Sequence, residues 1–513
     1  MLIFNNLSIF APKSYSSNDK KTFKHINMEK LIGRKREIEE LMRCYHSDRS
    51  EFVILYGRRR IGKTFLVNQT FNGRFTFRFT GSHKAPKSRQ LERFSKDLQE
   101  QWKLPHLPYI DSWYHAFDIL QQLISRSKSR KKKVVFFDEM PWIDTYGSEF
   151  VSALEDFWNT WASLRDDIMF VSCGSATSWM VDKLVDNQGG LHGRITSRIY
   201  LRPFTLQETE QYLRHRQCVW NRYTIAQCYM YIGGVPYYLS LLNPQKDLNS
   251  NIDDIFFSHQ AKLSGEIQEL YNVLFSNSDK YLEIVKLLTN HREGMTRQEI
   301  AKATKSNGGT LTKRLENLER CDFITGSQII GNTKKGTIYR MVDFFTLFYY
   351  KFVDGTKRRN IPYWVTLSNS RSVQSWQGLT FELLVMVHSE QVIQKLGISG
   401  IHTNVCSWRS SDNSKRRTDG TETLPETKKS KAQIDMIIER SDPYIYLCEM
   451  KFSTEKFTIS KAYEEQLRTR MSIFREETHT SKALLTTFIT TYGVNPGIHS
   501  GIVQQEIVLD DLF

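Results

Sequence analysis

The stretch Glu51 to Thr64, EFVILYGRRRIGKT, constrains this 513-residue chain more than any other. An apolar run, Phe52 to Tyr56, has the composition of a buried strand, and it empties directly into Gly57, four intervening residues, and then Gly62, Lys63 and Thr64. A following helix, Phe65 to Thr70, completes the strand, loop and helix context in which a loop of this spacing binds phosphate. The two glycines let the backbone N–H groups of Arg58, Arg59, Arg60 and Ile61 turn inward on phosphate oxygens. Lys63 neutralises the β and γ oxygens, and the Thr64 hydroxyl is a ligand for Mg²⁺. A plain basic turn between strand and helix is the alternative, and it leaves the register of the three parts unexplained.

A second stretch, Lys133 to Asp144 (KVVFFDEMPWID), supplies the carboxylates such a loop needs. Val134 to Phe137 form a buried parallel strand, and Asp138-Glu139 fall at its C-terminal end, where open α/β sheets gather their ligands. Asp138 is then the carboxylate toward Mg²⁺, direct or through water, and Glu139 the base that orients water against a γ-phosphate. Alone, the pair reads equally as an acidic strand-end cap; the upstream loop favours the first reading. Phe75, Phe77 and Phe79 alternate with polar residues as a further strand, and Ile168 to Cys173 make another that ends in Gly174-Ser175-Ala176-Thr177-Ser178. Those small hydroxyl residues suit phosphate sensing or a simple turn. Leu191-His192-Gly193-Arg194 sets Arg194 after a glycine break, either as a finger toward a neighbouring phosphate or as a surface arginine. Gly233-Gly234-Val235-Pro236 follows an aromatic-rich helix and reads as a rigid turn near a nucleotide or as a helix terminator.

Composition narrows the setting. Length and 40% hydrophobic content imply about three globular domains, and no apolar run approaches the ~18 residues of a membrane-spanning helix. Residues 1–27 lack the basic start and apolar stretch of a signal peptide and read as a poorly ordered extension, with the folded unit beginning near Met28. Seven scattered cysteines without metal-type spacing favour a reducing cytoplasm. A formal charge of +15 points to a polyanionic partner, nucleic acid above all, or to a solvated basic surface.

Residues 31 to about 240 resemble the archaeal-type ATPase branch of the STAND and AAA-related P-loop NTPases, through GRRRIGKT, FFDEMPWI, CGSATSWM, LHGR and GGVP. The resemblance implies ATP with Mg²⁺, Gly33-Arg34 near the adenine side, Ser175 as a sensor, Arg194 as the finger and Pro236 near the nucleotide. Relatives commonly carry an aromatic residue where this chain has His192.

Residues 281–345 follow the pattern of a winged helix. Tyr281 to Thr289 is a first helix, Thr296-Arg297-Gln298-Glu299 is a capping box opening a second, and Asn307-Gly308-Gly309 turns into a third with Lys313 and Arg314 outside. Phe323 to Thr325 and Ile338 to Arg340 make a hairpin around a Gly331 to Gly336 loop bearing Lys334 and Lys335. Such basic side chains suit DNA phosphates, and a protein-docking or structural unit is the alternative. The aromatic run Phe344 to Tyr350 is a core helix.

The C-terminal third holds a second set of charges. An apolar helix, Trp376 to Leu396, carries Glu382 mid-length, where a carboxylate needs compensation. Gln433 to Glu439 and Tyr444 to Phe452 form a hairpin that sets Asp435 beside Glu449 and Lys451 on one face. This arrangement resembles the PD-(D/E)xK nuclease superfamily and, more closely, an uncharacterised C-terminal domain fused to ATPases of the kind above, with WQGLTFE and the terminal LDDLF in the same picture. The resemblance implies Mg²⁺ on Asp435 and Glu449, Lys451 orienting the attacking water and Glu382 assisting. A salt-bridged strand pair in an inert domain is the alternative. Gln466 and Arg468 on the next helix are candidate phosphate contacts, and the polar segment between Cys406 and Lys431 is a surface insertion whose basic runs contact DNA or nothing.

The chain is therefore expected to be α/β throughout. Its parts are an extension at 1–27, a P-loop ATPase domain at 28–205 with a parallel sheet, and a helical lid at 206–279. A winged helix follows at 280–345 and a nuclease-like domain at 346–513. The expected function is an ATP-driven switch coupled to a DNA-associated nuclease-like unit, with homo-oligomerisation on ATP binding allowed and no membrane. A non-cutting DNA-binding or protein-interaction regulator is the alternative.

Overall fold

The computed structural model describes residues 31–175, 177–185, 189–275, 277–306, 308–327, 337–356, 362–410 and 432–513. The N-terminal extension, Ala176, the Gly331 to Gly336 loop and most of the polar insertion lie outside them.

The first sheet is built from β1 (Glu51–Tyr56), β2 (Phe75–Thr80), β3 (Lys133–Asp138), β4 (Ile168–Gly174) and β5 (Ser197–Tyr200). Its order is β2-β3-β4-β1-β5, and every pairing is parallel. A parallel sheet is covered on both faces, so its strands are apolar throughout. In β1, Phe52 and Ile54 pack into one core with Trp158 and Phe170, while Val53 and Leu55 pack into another with Leu41, Leu66 and Val67. The consequence is positional: β4 separates β1 from β3, so the ends of all three strands open on one crevice. β5 escaped the sequence reading because four residues, Ser-Arg-Ile-Tyr, carry too short an apolar pattern to stand out.

A small antiparallel sheet, β6 (Met295–Thr296), β7 (Ile324–Ser327) and β8 (Ile338–Met341) in the order β6-β8-β7, packs with helices Ser278–Asn290, Arg297–Thr304 and Gly309–Arg320. The Thr296–Glu299 capping box forms as its residues dictate. The basic side of the third helix is partly engaged: Arg320 and Lys313 both reach Asp182, at 2.6 and 3.6 Å, so Lys313 faces the ATPase region. The run Phe344–Phe348 is helical and buried, continuing as a wider turn over Tyr349–Val353.

The third sheet has the order β13-β12-β11-β10-β9, from β9 (Thr403–Arg409), β10 (Gln433–Arg440), β11 (Tyr444–Lys451), β12 (Ala483–Thr490) and β13 (Gln505–Val508). β9, β10 and β11 form an antiparallel meander, and β12 and β13 run parallel to β11. Two expectations need correction. The segment Trp376 to Leu396 is two helices, Arg371–Val387 and Ser389–Lys395, because His388 turns its ring inward at the break and accepts a hydrogen bond from Leu206 N. The polar insertion begins later than expected, since Ser407–Arg409 finish β9 and bury Trp408.

One continuous core runs from Phe204 through the helices after β5, the small sheet and the helix Arg371–Val387 to Leu512. Two smaller cores lie apart from it in the C-terminal unit, one between Trp408, Ile437 and Phe474 and one between Leu467, Phe488 and Ile502.

Candidate functional site

Gly57, at φ +146°, opens the loop after β1, and Gly62, at φ +86°, closes it as the N-cap of helix Lys63–Thr70. These are backbone conformations that glycine adopts without a Cβ penalty. At Gly57 a Cβ would also lie 2.3 Å from the Leu201 carbonyl oxygen. The helix therefore begins at Lys63, two residues before the expected start, and its free N–H groups point at the crevice.

Lys63 is buried, and its Nζ donates to the carbonyls of Gly57 at 3.0 Å and Arg58 at 2.8 Å. It has no ion pair among the described residues, and burial draws its pKa down, opposed by Cys173, Glu139 and Asp138. Thr64 Oγ1 lies 2.9 and 3.1 Å from the two oxygens of Asp138, joining the loop to the end of β3 across 74 positions. Burial, and next the neighbouring Glu139, push the Asp138 carboxyl up to about 6, against the Thr64 hydrogen bond. Glu139 adopts φ +48°, which turns its side chain back toward β4, where Oε1 accepts from Ser175 Oγ at 3.0 Å. Lys63, Thr64, Asp138, Glu139 and Ser175 thus meet at the ends of the three central strands.

Gly33 and Arg34 pack on the other flank. Both have positive φ, and the Arg34 N–H donates to Glu208 Oε1 at 2.7 Å, while its guanidinium reaches the Ile61 carbonyl at 3.3 Å and lies over Phe204. The Gly233-Gly234 turn brings Pro236 to the start of a helix whose Tyr237 N–H donates to the Arg60 carbonyl at 3.4 Å. Two loop side chains turn away from the crevice. Arg58 pairs with Asp343 at 2.5 Å, fully buried, and Arg60 makes a bidentate pair with Glu266 at 2.7 and 2.8 Å. Only the backbone of these two residues is left for phosphate. Arg194 lies in a turn, exposed, on the same chain segment as β5.

In the C-terminal sheet, Asp435 sits one position beyond the Met436–Cys448 pair and therefore opposite Glu449. Lys451 Nζ lies 2.8 Å from Glu449 Oε1, and Glu449 also accepts from Arg470 at 2.7 Å and from the Tyr463 hydroxyl. Burial works to raise the Glu449 carboxyl; Lys451 and Arg470 outweigh it, and the pKa lies below the usual carboxylate range. Glu382 behaves oppositely: burial, then Asp435, push it up to about 8. Asp435 accepts from Gln433 at 2.6 Å. Among the described residues no group of three or more His, Cys, Asp or Glu side chains is placed to hold a metal ion. Gln466 and Arg468 are both exposed, with Arg468 on Glu464 at 2.6 Å. Tyr463 and Arg470, seven apart and so two turns along one helix face, are the pair that reaches Glu449. The seven-residue spacing of Tyr463 and Arg470 is the signal of this pair in the sequence.

Residues 31–242 match the family model described as an ATPase domain predominantly from Archaea. An uncharacterized protein of Methanocaldococcus jannaschii is 23% identical over 331 residues, which cover 63% of this chain and 69% of that protein. An uncharacterized ATP-binding protein of the same organism is 45% identical over 39 residues, 8% of this chain and 66% of its own length. Among solved structures, a Walker-type ATPase of Pyrococcus abyssi is similar with a TM-score of 0.47 and 16% identity, covering 63% of this chain and 97% of that one. Among the described residues, no helix is long and apolar enough to cross a membrane. Over residues 31–242, then, the chain is similar to the ATPase domain described as predominantly from Archaea.

Proposed function

We propose that this protein binds and hydrolyses ATP at the β1–β3–β4 crevice and uses that reaction to switch a DNA-associated, nuclease-like unit at its C-terminus. The observation that carries the reading is the Thr64–Asp138 contact. A hydroxyl and a carboxylate on two different strand ends form the hard-oxygen pair that suits Mg²⁺, beside a lysine with no carboxylate of its own. Thr64 and Asp138 would hold that ion, which when bound neutralises charge between the β- and γ-phosphates. Lys63 exchanges the Gly57 and Arg58 carbonyls for phosphate oxygens. Glu139, steadied by Ser175, orients the attacking water. Gly33, Arg34 and Pro236 border the adenine end, and Arg194, exposed, is offered to a neighbouring copy's phosphate.

The division into ATPase domain (28–205), lid (206–279), winged helix (280–345) and nuclease-like domain (346–513) follows the three sheets and the helices between β5 and β6. The nuclease-like assignment is supported by the antiparallel meander with a parallel β12, by Asp435 opposite Glu449 and Lys451, and by Glu382 close enough to raise their mutual repulsion. Asp435 and Glu449 are the proposed Mg²⁺ ligands there, with Lys451 and Glu382 toward the water and the phosphate.

A specific observation favours a second reading, a regulator that binds DNA or protein without cutting: Glu449 is already held by Lys451, Arg470 and Tyr463. One experiment separates the two. Plasmid and linear DNA are incubated with the protein and Mg²⁺ or Mn²⁺, with and without ATP, while phosphate release is followed in the same samples. Cleavage that disappears in Asp435→Ala and Lys451→Ala with ATP turnover intact supports the first reading. ATP turnover without cleavage under any condition supports the second, and absence of ATP binding overturns both.

A further inference from the structure

The two carboxylates proposed for Mg²⁺ in the C-terminal sheet face each other across β10 and β11, and donors of the chain already engage both. The Glu449 side chain is only 13% exposed, so its charge needs partners. Its Oε1 lies 2.8 Å from Lys451 Nζ and accepts from the Tyr463 hydroxyl, and its Oε2 accepts from Arg470 Nη1 at 2.7 Å. Asp435 Oδ1 accepts from Gln433 Nε2 at 2.6 Å. Two facing carboxylates are the hard oxygen ligands a divalent ion takes, but here such an ion would meet two cations at the oxygens of Glu449.

Those cations are held differently. Lys451 lies two positions along the same strand as Glu449, on the same face, and its Nζ is also 5.2 Å from the Tyr463 ring. Arg470 arrives on the helix Lys461–Thr478, where Tyr463, Leu467, Arg470 and Phe474 fall at the spacing of one helix face. Leu467 packs with Phe488, and Phe474 with Trp408, so the apolar pair seats the helix on the sheet and carries the polar pair to Glu449. The Arg470 side chain is 27% exposed, and its guanidinium makes no other hydrogen bond or ion pair among the described residues.

A guanidinium has five N–H donors, and Arg470 therefore keeps several for an anion arriving from solvent. Its planar fork fits two oxygens of a phosphate. A third positive charge brought to Glu449 is repelled by the two already there, and the group whose transfer to another anion relieves Oε2 is Arg470.

We infer that Arg470 is an exchangeable counter-cation at this centre: a DNA phosphodiester takes over its guanidinium, and Glu449 Oε2 opens to a divalent ion only then. Metal and phosphate bind as a linked pair, and without DNA the centre is held closed by its own arginine. This rests on the reading of Asp435 and Glu449 as metal ligands of a DNA-directed unit, and goes beyond it in naming the side chain that keeps them engaged until DNA arrives.

The test reads metal binding and needs no cleavage. Mn²⁺ binding to the full chain is followed by electron paramagnetic resonance of the free ion, for wild type, Arg470→Ala, Arg470→Lys and Glu449→Gln, each with and without a short DNA duplex. Ions held by the duplex alone are subtracted, and binding that Glu449→Gln lacks is assigned to this centre, which separates it from the Thr64–Asp138 crevice. Circular dichroism checks that each variant is folded. DNA is expected to raise the wild-type Mn²⁺ affinity at this centre about tenfold. Arg470→Ala should show the tighter affinity without DNA, and Arg470→Lys, which keeps the charge, should stay near wild type. A wild-type affinity that DNA leaves unchanged overturns the exchange, and this arm needs no substitution at position 470. Equal or weaker Mn²⁺ binding by folded Arg470→Ala also overturns it, since the arginine would then only support the fold. Both results leave Glu449 standing as a ligand. Absence of any Glu449-dependent Mn²⁺ binding, with DNA or without, removes the reading of the centre and the exchange together.

Discussion

Arg58 Nη1 lies 2.5 Å from Asp343 Oδ1, both side chains buried, and the contact joins the phosphate-binding loop to a residue 285 positions later. The other oxygen of Asp343 caps the helix Phe344–Phe348 by accepting from Thr346 N at 3.1 Å. The glycine loop after β1 is therefore tied directly to the junction between the small sheet and the C-terminal unit. Arg58 also holds Lys63 through its carbonyl at 2.8 Å, so one residue contacts both the loop lysine and the Asp343 that caps that helix.

Removing one partner of this pair leaves the other charged and buried. Asp343→Ala is expected to destabilise the protein by about 3–5 kcal/mol, read from chemical denaturation. The double replacement Arg58→Met with Asp343→Leu should recover most of that loss, because no uncompensated charge remains. A double variant as unstable as the single one would mean that the capping role of Asp343 dominates.

The loop chemistry separates binding from turnover. Lys63→Ala is expected to abolish ATP binding measured by calorimetry, since the helix N-terminus loses the buried cation that faces the crevice. Glu139→Gln keeps the Ser175 contact geometry and should bind ATP with nearly unchanged affinity, while phosphate release falls a hundredfold or more, roughly the contribution of a positioned general base. Equal turnover in Glu139→Gln and wild type would remove Glu139 from that role.

Gly57→Ala meets two obstacles. The φ of +146° costs an L-residue on the order of 1–3 kcal/mol, and the added Cβ would lie 2.3 Å from the backbone of Leu201. The expected outcome is a folded protein, by circular dichroism, whose nucleotide affinity is lost because the loop has shifted.

His388 provides a pH signature. It is fully buried, its Nε2 accepts from Leu206 N at 3.0 Å, and its Nδ1 donates to the Leu384 carbonyl at 2.8 Å, so the neutral ring satisfies both contacts. Burial lowers its pKa from 6.5 to about 4. A histidine depressed in the folded state takes up its proton more readily when unfolded, so its contribution is complete above pH 6.5 and is lost as pH falls toward 4. The loss is on the order of 3 kcal/mol across that window. Denaturation midpoints for wild type and His388→Gln, compared between these limits, should converge as pH falls. Parallel curves would show that His388 does not titrate there.

The features legible from the residues were those the chain builds from near neighbours. EFVILYGRRRIGKT makes strand, loop and helix within fourteen residues, Asp138 and Glu139 follow their own apolar strand, and Thr296 and Glu299 cap a helix three positions apart. The hairpin bearing Asp435, Glu449 and Lys451 was readable for the same reason: period-two alternation and a short turn set its faces. Glu382 stood out because a carboxylate interrupts an apolar helix.

The sequence by itself determined where a glycine loop would join strand to helix and which strand ends would carry acid. Only the tertiary structure decided which charge answers which: Arg58 to Asp343, Arg60 to Glu266, and Arg470 to Glu449. The physical reason is that secondary structure follows from short-range sterics and hydrogen bonding, which leave a periodic trace in the residues. A long-range ion pair depends on the burial and approach of elements hundreds of positions apart, and no local pattern records that.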